Sequence, residues 1–346
     1  MSRRSGTAGW ETAGPSQVFG AVMALRNVVE GFGGDIRAQP SRRRKEFDQV
    51  VARLRGALRH PPEAFDEACA ALSASTAAAA CQMYVDARDE TAALGLVEAA
   101  RPLMERLGPR HHDVMNLRRA HAGALLAQGR REQAETLLRA LLEDETRTFG
   151  RDDPRTAPTE QLLHWAHLAM GRLEEAESGL RTLRTRLTRH PHADRALLRH
   201  IECKLSWTVG RRHRLRESAD GYDHVIASRA REFRPDHPDA LDARHSKGKM
   251  YVLHGDGPAA HAVLSPLLPD MRRVLGPRSP YTLETRKYLA LARTLTRPDD
   301  LREHRRARRV LRHVLRVQTR GPGHDHPDTR DTREWLTALS DIGKRP

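Results

Sequence analysis

The sequence predicts an all-α protein of stacked helical hairpins, and three observations carry that prediction. A small residue is followed four positions later by a bulky one every 42 residues: Ala92/Leu96, Ala134/Leu138, Ala176/Leu180, Ser218/Tyr222 and Ala260/Leu264. A second apolar column, Ala99, Leu141, Leu183, Val225 and Leu267, runs three residues further on in the same register. Fixed self-similarity at roughly 20–50 residues marks units that bury their apolar faces against one another. The composition agrees: aromatic residues make up only 4% while alanine and leucine abound, which suits small-against-large helix packing more than a sheet sandwich.

In chain order, residues 1–15 are rich in Gly, Ser, Thr and Arg and read as a disordered tail. Residues 16–63 read as an N-terminal helical segment. Val18, Val22, Leu25 and Val29 share one face of a helix over 16–30, and Gly31, Gly33, Gly34 and Pro40 break the chain. A second helix over 42–59 carries Phe47, Val50, Val51, Leu54 and Leu58, and Pro61 and Pro62 end it. The repeats then occupy 64–340. In each, a first helix ends at a glycine turn (Gly129, Gly171, Gly210, Gly255), where positive φ is needed. A second helix carries the small/bulky columns and ends near Gly108, Gly150, Arg234 or Gly276. Proline at a first helical turn opens the next unit, at Pro154, Pro238, Pro280 and Pro327. A capping helix over 327–340 closes the array with Trp335, Leu336 and Leu339. The Gly171–Gly210 and Gly210–Gly255 intervals are 39 and 45, and Ala260–Ala307 is 47. These predict an irregular linker near 188–193 and longer turns near 210–216 and 297–303.

The recurring residues resemble the tetratricopeptide repeat in its long, 42-residue form, found in kinesin light chains and actinobacterial regulators. The resemblance covers about residues 66–340 and rests on the turn glycines, on Leu289-Ala290, on Gly248 with Tyr251, and on the Ala/Leu columns. Three residues depart from the pattern: Glu202 and Lys247 stand where leucine is expected, and His164 where alanine or glycine is usual. The resemblance implies a right-handed α-solenoid whose concave face, lined by first helices, binds a peptide or partner protein. Its inward-facing positions fall here on Asn116, Arg119, Gln161, Trp165, His200, Lys204, Trp207, His245, Lys249 and Lys287. That set is basic with two tryptophans and implies an acidic or C-terminal-carboxylate peptide. Replacing Lys204, Lys249 and Lys287 together with glutamate is expected to abolish capture without lowering stability.

The net charge of +15 arises from an arginine-to-lysine ratio of about nine to one. That ratio, with few Asn and Ile, reads as the codon bias of a G+C-rich genome, so part of the basicity is inherited. The field still attracts acidic partners. The run 301–316, "LREHRRARRVLRHVLR", puts seven arginines around an apolar stripe, a pattern that serves either phosphate binding or a solvated helix face. The three cysteines, Cys69, Cys81 and Cys203, lack C-x-x-C spacing and read as reduced core thiols. His164 and His167, three apart, have no carboxylate or cysteine at ligand spacing, so no metal site is expected. Nucleophile-elbow, P-loop and dinucleotide signatures are missing, so neither catalysis nor a cofactor is expected. No run of about 18 apolar residues is present, so no membrane contact is expected.

The function expected is a cytoplasmic interaction scaffold or adaptor that holds a peptide or partner protein in a basic groove. The alternative is a transcription-related regulator whose repeats sense a peptide while the N-terminal helices or basic faces contact DNA. Residues 16–59 offer two helices where a DNA-reading motif of the helix-turn-helix type needs three.

Overall fold

A computed structural model describes residues 20–25, 27–28, 41–59, 66–190, 194–232, 234–320 and 323–342. The tail expected at 1–15, the glycine break at 31–40 and the core of the linker expected at 188–193 lie outside them. The chain falls into two compact units, Met1–Ala127 with Arg139–Gly150, and Gln128–Leu138 with Arg151–Pro346.

The first unit begins with helical residues 20–25 and 27–28, where Val22 and Leu25 are buried. Helix α1 (Ser41–Leu58) buries Phe47, Leu54 and Leu58, the face expected from the sequence. Helix α2 (Glu67–Asp86) is capped by Asp66, whose carboxylate accepts from the Cys69 N–H at 2.7 Å. By length and composition alone α2 is apolar enough to cross a bilayer. Its apolar residues are spent inside the protein, however: Ala70, Ala74, Ala77 and Ala80 are fully buried, and the helix packs against α3 (Glu90–Ala99) and α5 (His112–Ala127). Between these two lies α4 (Arg101–Leu107). Pro102 cannot donate to the preceding turn, so the second helix of the first repeat is broken at Ala100. The rest of this unit is the C-terminal part of α6 (Arg131–Phe149).

The second unit holds the N-terminal part of α6 and then four hairpins with a final helix. These are α7 (Ala157–Ala169) with α8 (Leu173–Arg189), α9 (Arg195–Arg211) with α10 (Leu215–Glu232), α11 (Pro238–Leu253) with α12 (Gly257–Val274), α13 (Pro280–Thr296) with α14 (Leu301–Arg320), and α15 (Pro327–Ile342). No strand occurs among the described residues. The expected small/bulky ledges are where burial is most complete. Ala134, Leu138, Ala176, Leu180, Ser218, Tyr222, Ala260 and Leu264 are each fully buried, as are Leu141, Val225 and Leu267. At about 25 cal/mol per Å², a buried leucine contributes about 2 kcal/mol, so this repeated ledge is the main source of cohesion between hairpins. In the first unit only the small position of the ledge shifts by one: Ala93 is fully buried and Ala92 partly, while Leu96 stays fully buried.

The turn expected to be long at 210–216 is not. Helix α9 runs past Gly210 to Arg211, leaving a three-residue turn like its counterparts. Positive φ falls at Gly129, Gly171, His213 and Gly255, three successive intervals of 42, so the spacings of 39 and 45 to Gly210 mark no change of turn length. Gly210 is buried inside α9 instead, where an added Cβ would lie 2.5 Å from the Met250 sulfur. In the 42-residue register Leu205 and not Glu202 stands in the leucine column with Leu163 and Leu289, which His121 and Lys247 interrupt. Lys247 is held by Asp223 at 2.6 Å. His164 is accommodated by an exchange of sizes between helices. It faces Gly179 of α8, where a Cβ would come 2.0 Å from the imidazole. One repeat later Ser206 faces Gly221 in the same way, with 2.5 Å from its hydroxyl to an added Cβ.

Cys81 and Cys203 are buried free thiols and Cys69 is half-buried. Burial pushes Cys81 up to about 12 and Cys203 up to about 11, which keeps both protonated as unreactive thiols.

Candidate functional site

The ten residues projected onto the first helices separate into columns of different environment once the 42-residue register is fixed. Arg119, Gln161, His245 and Lys287 form one column, with Cys203 between them. In the second unit this column is turned into the packing: Gln161, Cys203, His245 and Lys287 are all buried. Lys287 has no exposed surface at all, and its ammonium donates to Asp331 of α15 at 2.5 Å. A charge so placed must be paired. His245 is 3% exposed, with Nδ1 2.9 Å from the Thr285 hydroxyl and Nε2 3.5 Å from Glu284. Gln161, His245 and Lys287 therefore join neighbouring helices and do not line a groove, contrary to the expectation from sequence. Arg119 and Asn116 belong to the first unit, where Arg119 donates to Asn116 at 2.9 Å and to the buried Glu145 at 2.6 Å.

The accessible residues of the second unit lie in the adjoining columns. Trp165, Trp207 and Lys249 occupy one, Lys204 the next, and the exposed His200 a third. Trp165 and Trp207 are half-buried, and neither indole N–H has a protein hydrogen-bond partner among the described residues. The Lys204 ammonium of α9 sits 4.2 Å from the Trp165 ring centroid of α7. The Lys249 ammonium of α11 lies 5.4 Å from the Trp207 ring and 5.1 Å from that of Tyr288. Each such contact contributes about 0.5–2 kcal/mol and fixes the ring plane. Lys249 also donates to Glu284 at 2.9 Å. Burial works against its charge, but Glu284 and Tyr288 outweigh that and hold it above the usual lysine range, so it is always protonated.

Continuing the same columns adds Ser246 and Tyr288 beside Lys204, and Asp242 and Glu284 beside His200. Reading the columns at a strict period of 42 would have found all four. Their charges alter the expected character of this face. Glu284 neutralises Lys249, Asp331 neutralises Lys287, and the half-buried Asp242 adds a carboxylate, so two of the three expected lysine positions bring no net positive charge. What the geometry offers is two aromatic faces with unspent N–H donors and ammonium groups held between them.

The fold is the tetratricopeptide-type α-solenoid. Among solved structures, the chain is similar to a Rap protein complexed with competence and sporulation factor, at 9% identity and a TM-score of 0.61, over 96% of this chain and 89% of that one. It is similar to NprR in complex with its cognate peptide NprX, at 10% identity and TM-score 0.57, over 96% and 90% of the two chains. The Rap conjugation gene regulator of plasmid pLS20, in complex with the Phr* peptide, follows at 10% identity and TM-score 0.52, over 96% and 99%. No family model and no curated protein matches the sequence.

Proposed function

We propose that the protein is a non-catalytic peptide- or partner-binding scaffold of the cytoplasm, and that the ligand lies across Trp165, Lys204, Trp207 and Lys249. The observation that carries this reading is the ladder of half-buried aromatic rings and ammonium groups on α7, α9 and α11, ordered before any ligand arrives. Preorganised aromatic anchors lower the ordering cost of association. The three structural neighbours above were each solved with a bound factor or peptide, which is in keeping with this use of the fold. The ligand is an extended peptide whose backbone carbonyls accept from the two indoles and whose acidic group approaches Lys204.

Panning a random-peptide display library on the immobilised protein tests the reading. Enriched peptides should bind the W165A/W207A double variant at least tenfold more weakly in a fluorescence titration, while the variant keeps its circular dichroism spectrum. Peptides that bind both proteins equally would remove this face as the site.

A further inference from the structure

The exposed side of α14 carries a stripe that the peptide reading does not use. Arg302, Arg305, Arg309, Arg312, Arg316 and Arg320 recur at three- and four-residue steps, within about 80° of one face and over about 27 Å of helix. All six are exposed. Among the described residues none of the six guanidinium groups meets a carboxylate. The helix has one acidic residue, Glu303, which is buried and paired with Arg306 at 2.6 Å. The opposite face is spent: Ala307, Leu311 and Val314 are buried, and α14 packs against α13 and α15.

Codon bias does not account for the stripe, because it acts on every helix alike. The position of Arg305 is filled in the earlier second helices by Glu132, Glu174, Arg216 and Pro258. That of Arg309 is filled by Thr136, Ser178, Asp220 and Ala262. Elsewhere arginines find partners across the hairpins, as Arg212 and Arg214 do on Glu177 at 2.7 and 2.8 Å. Along this face of α14 like charges stand side by side with no carboxylate on that face to offset their repulsion, a destabilising arrangement at three- and four-residue spacing.

We propose that this stripe docks on the phosphate backbone of duplex DNA without reading its sequence. A protein interface surrounds an apolar centre with charge, and the one large apolar residue exposed on this helix is Leu301, at its very start. A membrane-surface helix inserts its apolar face, which here is already buried. Single strands and looped RNA are held by aromatic platforms, and α14 has no Phe, Tyr or Trp. A rigid, evenly charged duplex needs none of these features, and arginine's planar fork suits phosphate oxygens.

Fluorescence anisotropy with a labelled random-sequence duplex DNA of about 20 base pairs tests the proposal through the slope of log K against log salt. At about 0.9 per phosphate contact, replacing Arg305, Arg309, Arg312 and Arg316 with glutamine should flatten the slope by about 3–4. A control with Arg189, Arg211, Arg216 and Arg278 changed to glutamine should keep it within about one. No binding by the wild type at about 0.05 M salt, an unchanged slope in the stripe variant, or an equal fall in the control would overturn the proposal. So would tighter binding to duplex RNA, polyglutamate or phosphatidylserine vesicles. Should the glutamine variant unfold, the four-lysine variant decides: it keeps the charge and must keep the slope, and loss of the slope there overturns the proposal too.

Discussion

Exchanging sizes between helices makes a prediction whose sign depends on the partner. Gly179 lies in the middle of α8, where alanine ordinarily stabilises by about 1 kcal/mol through helix propensity. Here the new Cβ would stand 2.0 Å from Cε1 of His164 and 2.4 Å from both of its ring nitrogens. Three imidazole atoms cannot move aside as a flexible chain end would, so overpacking costs about 1–3 kcal/mol and outweighs the propensity gain. The expected outcome is that Gly179→Ala destabilises by about 1 kcal/mol in the wild type. In a His164→Ala background the same change stabilises by about 1 kcal/mol, giving a coupling of about 2 kcal/mol. Because stacked repeats unfold along the array, the urea midpoint is the proper readout. At a slope of about 2 kcal/mol per molar it should fall by about 0.5 M in one background and rise by as much in the other. Equal shifts of the same sign in both would refute the account of how His164 is accommodated.

Burial, with the nearby His167 second, lowers His164 to about 4. The unfolded chain therefore binds more protons between about pH 6.5 and 4, and stability falls on acidification through that window by an amount on the order of 2 kcal/mol; His164→Ala should flatten the midpoint-versus-pH curve there. Lys287→Glu would set a second carboxylate beside Asp331 at a position with no exposed surface of its own, so it should destabilise by about 3 kcal/mol in urea unfolding. The triple glutamate change expected from sequence to spare stability will therefore unfold the protein, whereas Lys204→Glu alone will not. Gly171→Ala, at φ +81° with open space around it, should cost about 1 kcal/mol from backbone strain alone, read as a lower thermal midpoint.

The hairpin array was legible because burial repeats: an alanine–leucine ledge covered by its successor must recur at each repeat, and the columns from Ala134 to Leu267 did so. Turn identity was less legible. Positive φ is expected at glycine, and Gly210 is the glycine beside this turn, yet the left-handed residue is His213. His213 is held in place by stacking edge-on against His254 at 5.6 Å, a contact between residues 41 positions apart that no local pattern announces. The three-residue displacement then moved Glu202 into a column it does not occupy. The same period, applied without that error, separates the buried column through Gln161, His245 and Lys287 from the accessible one through Trp165, Trp207 and Lys249.

Charge is where composition misled most, and the reason is geometric. Lys249 and Lys287 are spent within the protein on Glu284 and Asp331, and many arginines reach carboxylates about one repeat away, as Arg172 reaches Glu135 and Arg273 reaches Asp236 at 2.9 Å. Exposed pairs of this kind add little each, about 0–1 kcal/mol, but they cancel the field locally. A surplus of +15 therefore cannot be spread evenly over the surface. It must collect where carboxylates are scarce, and α14 is a helix with eight arginines and one buried glutamate. The groove expected to be basic is nearly balanced, and the helix that sequence alone could read as a merely solvated face holds a large share of the uncompensated charge. The proposed peptide capture and the proposed duplex docking thus fall on different elements of the second unit, and substitutions at Trp165 and Trp207 should leave the salt dependence of DNA binding untouched.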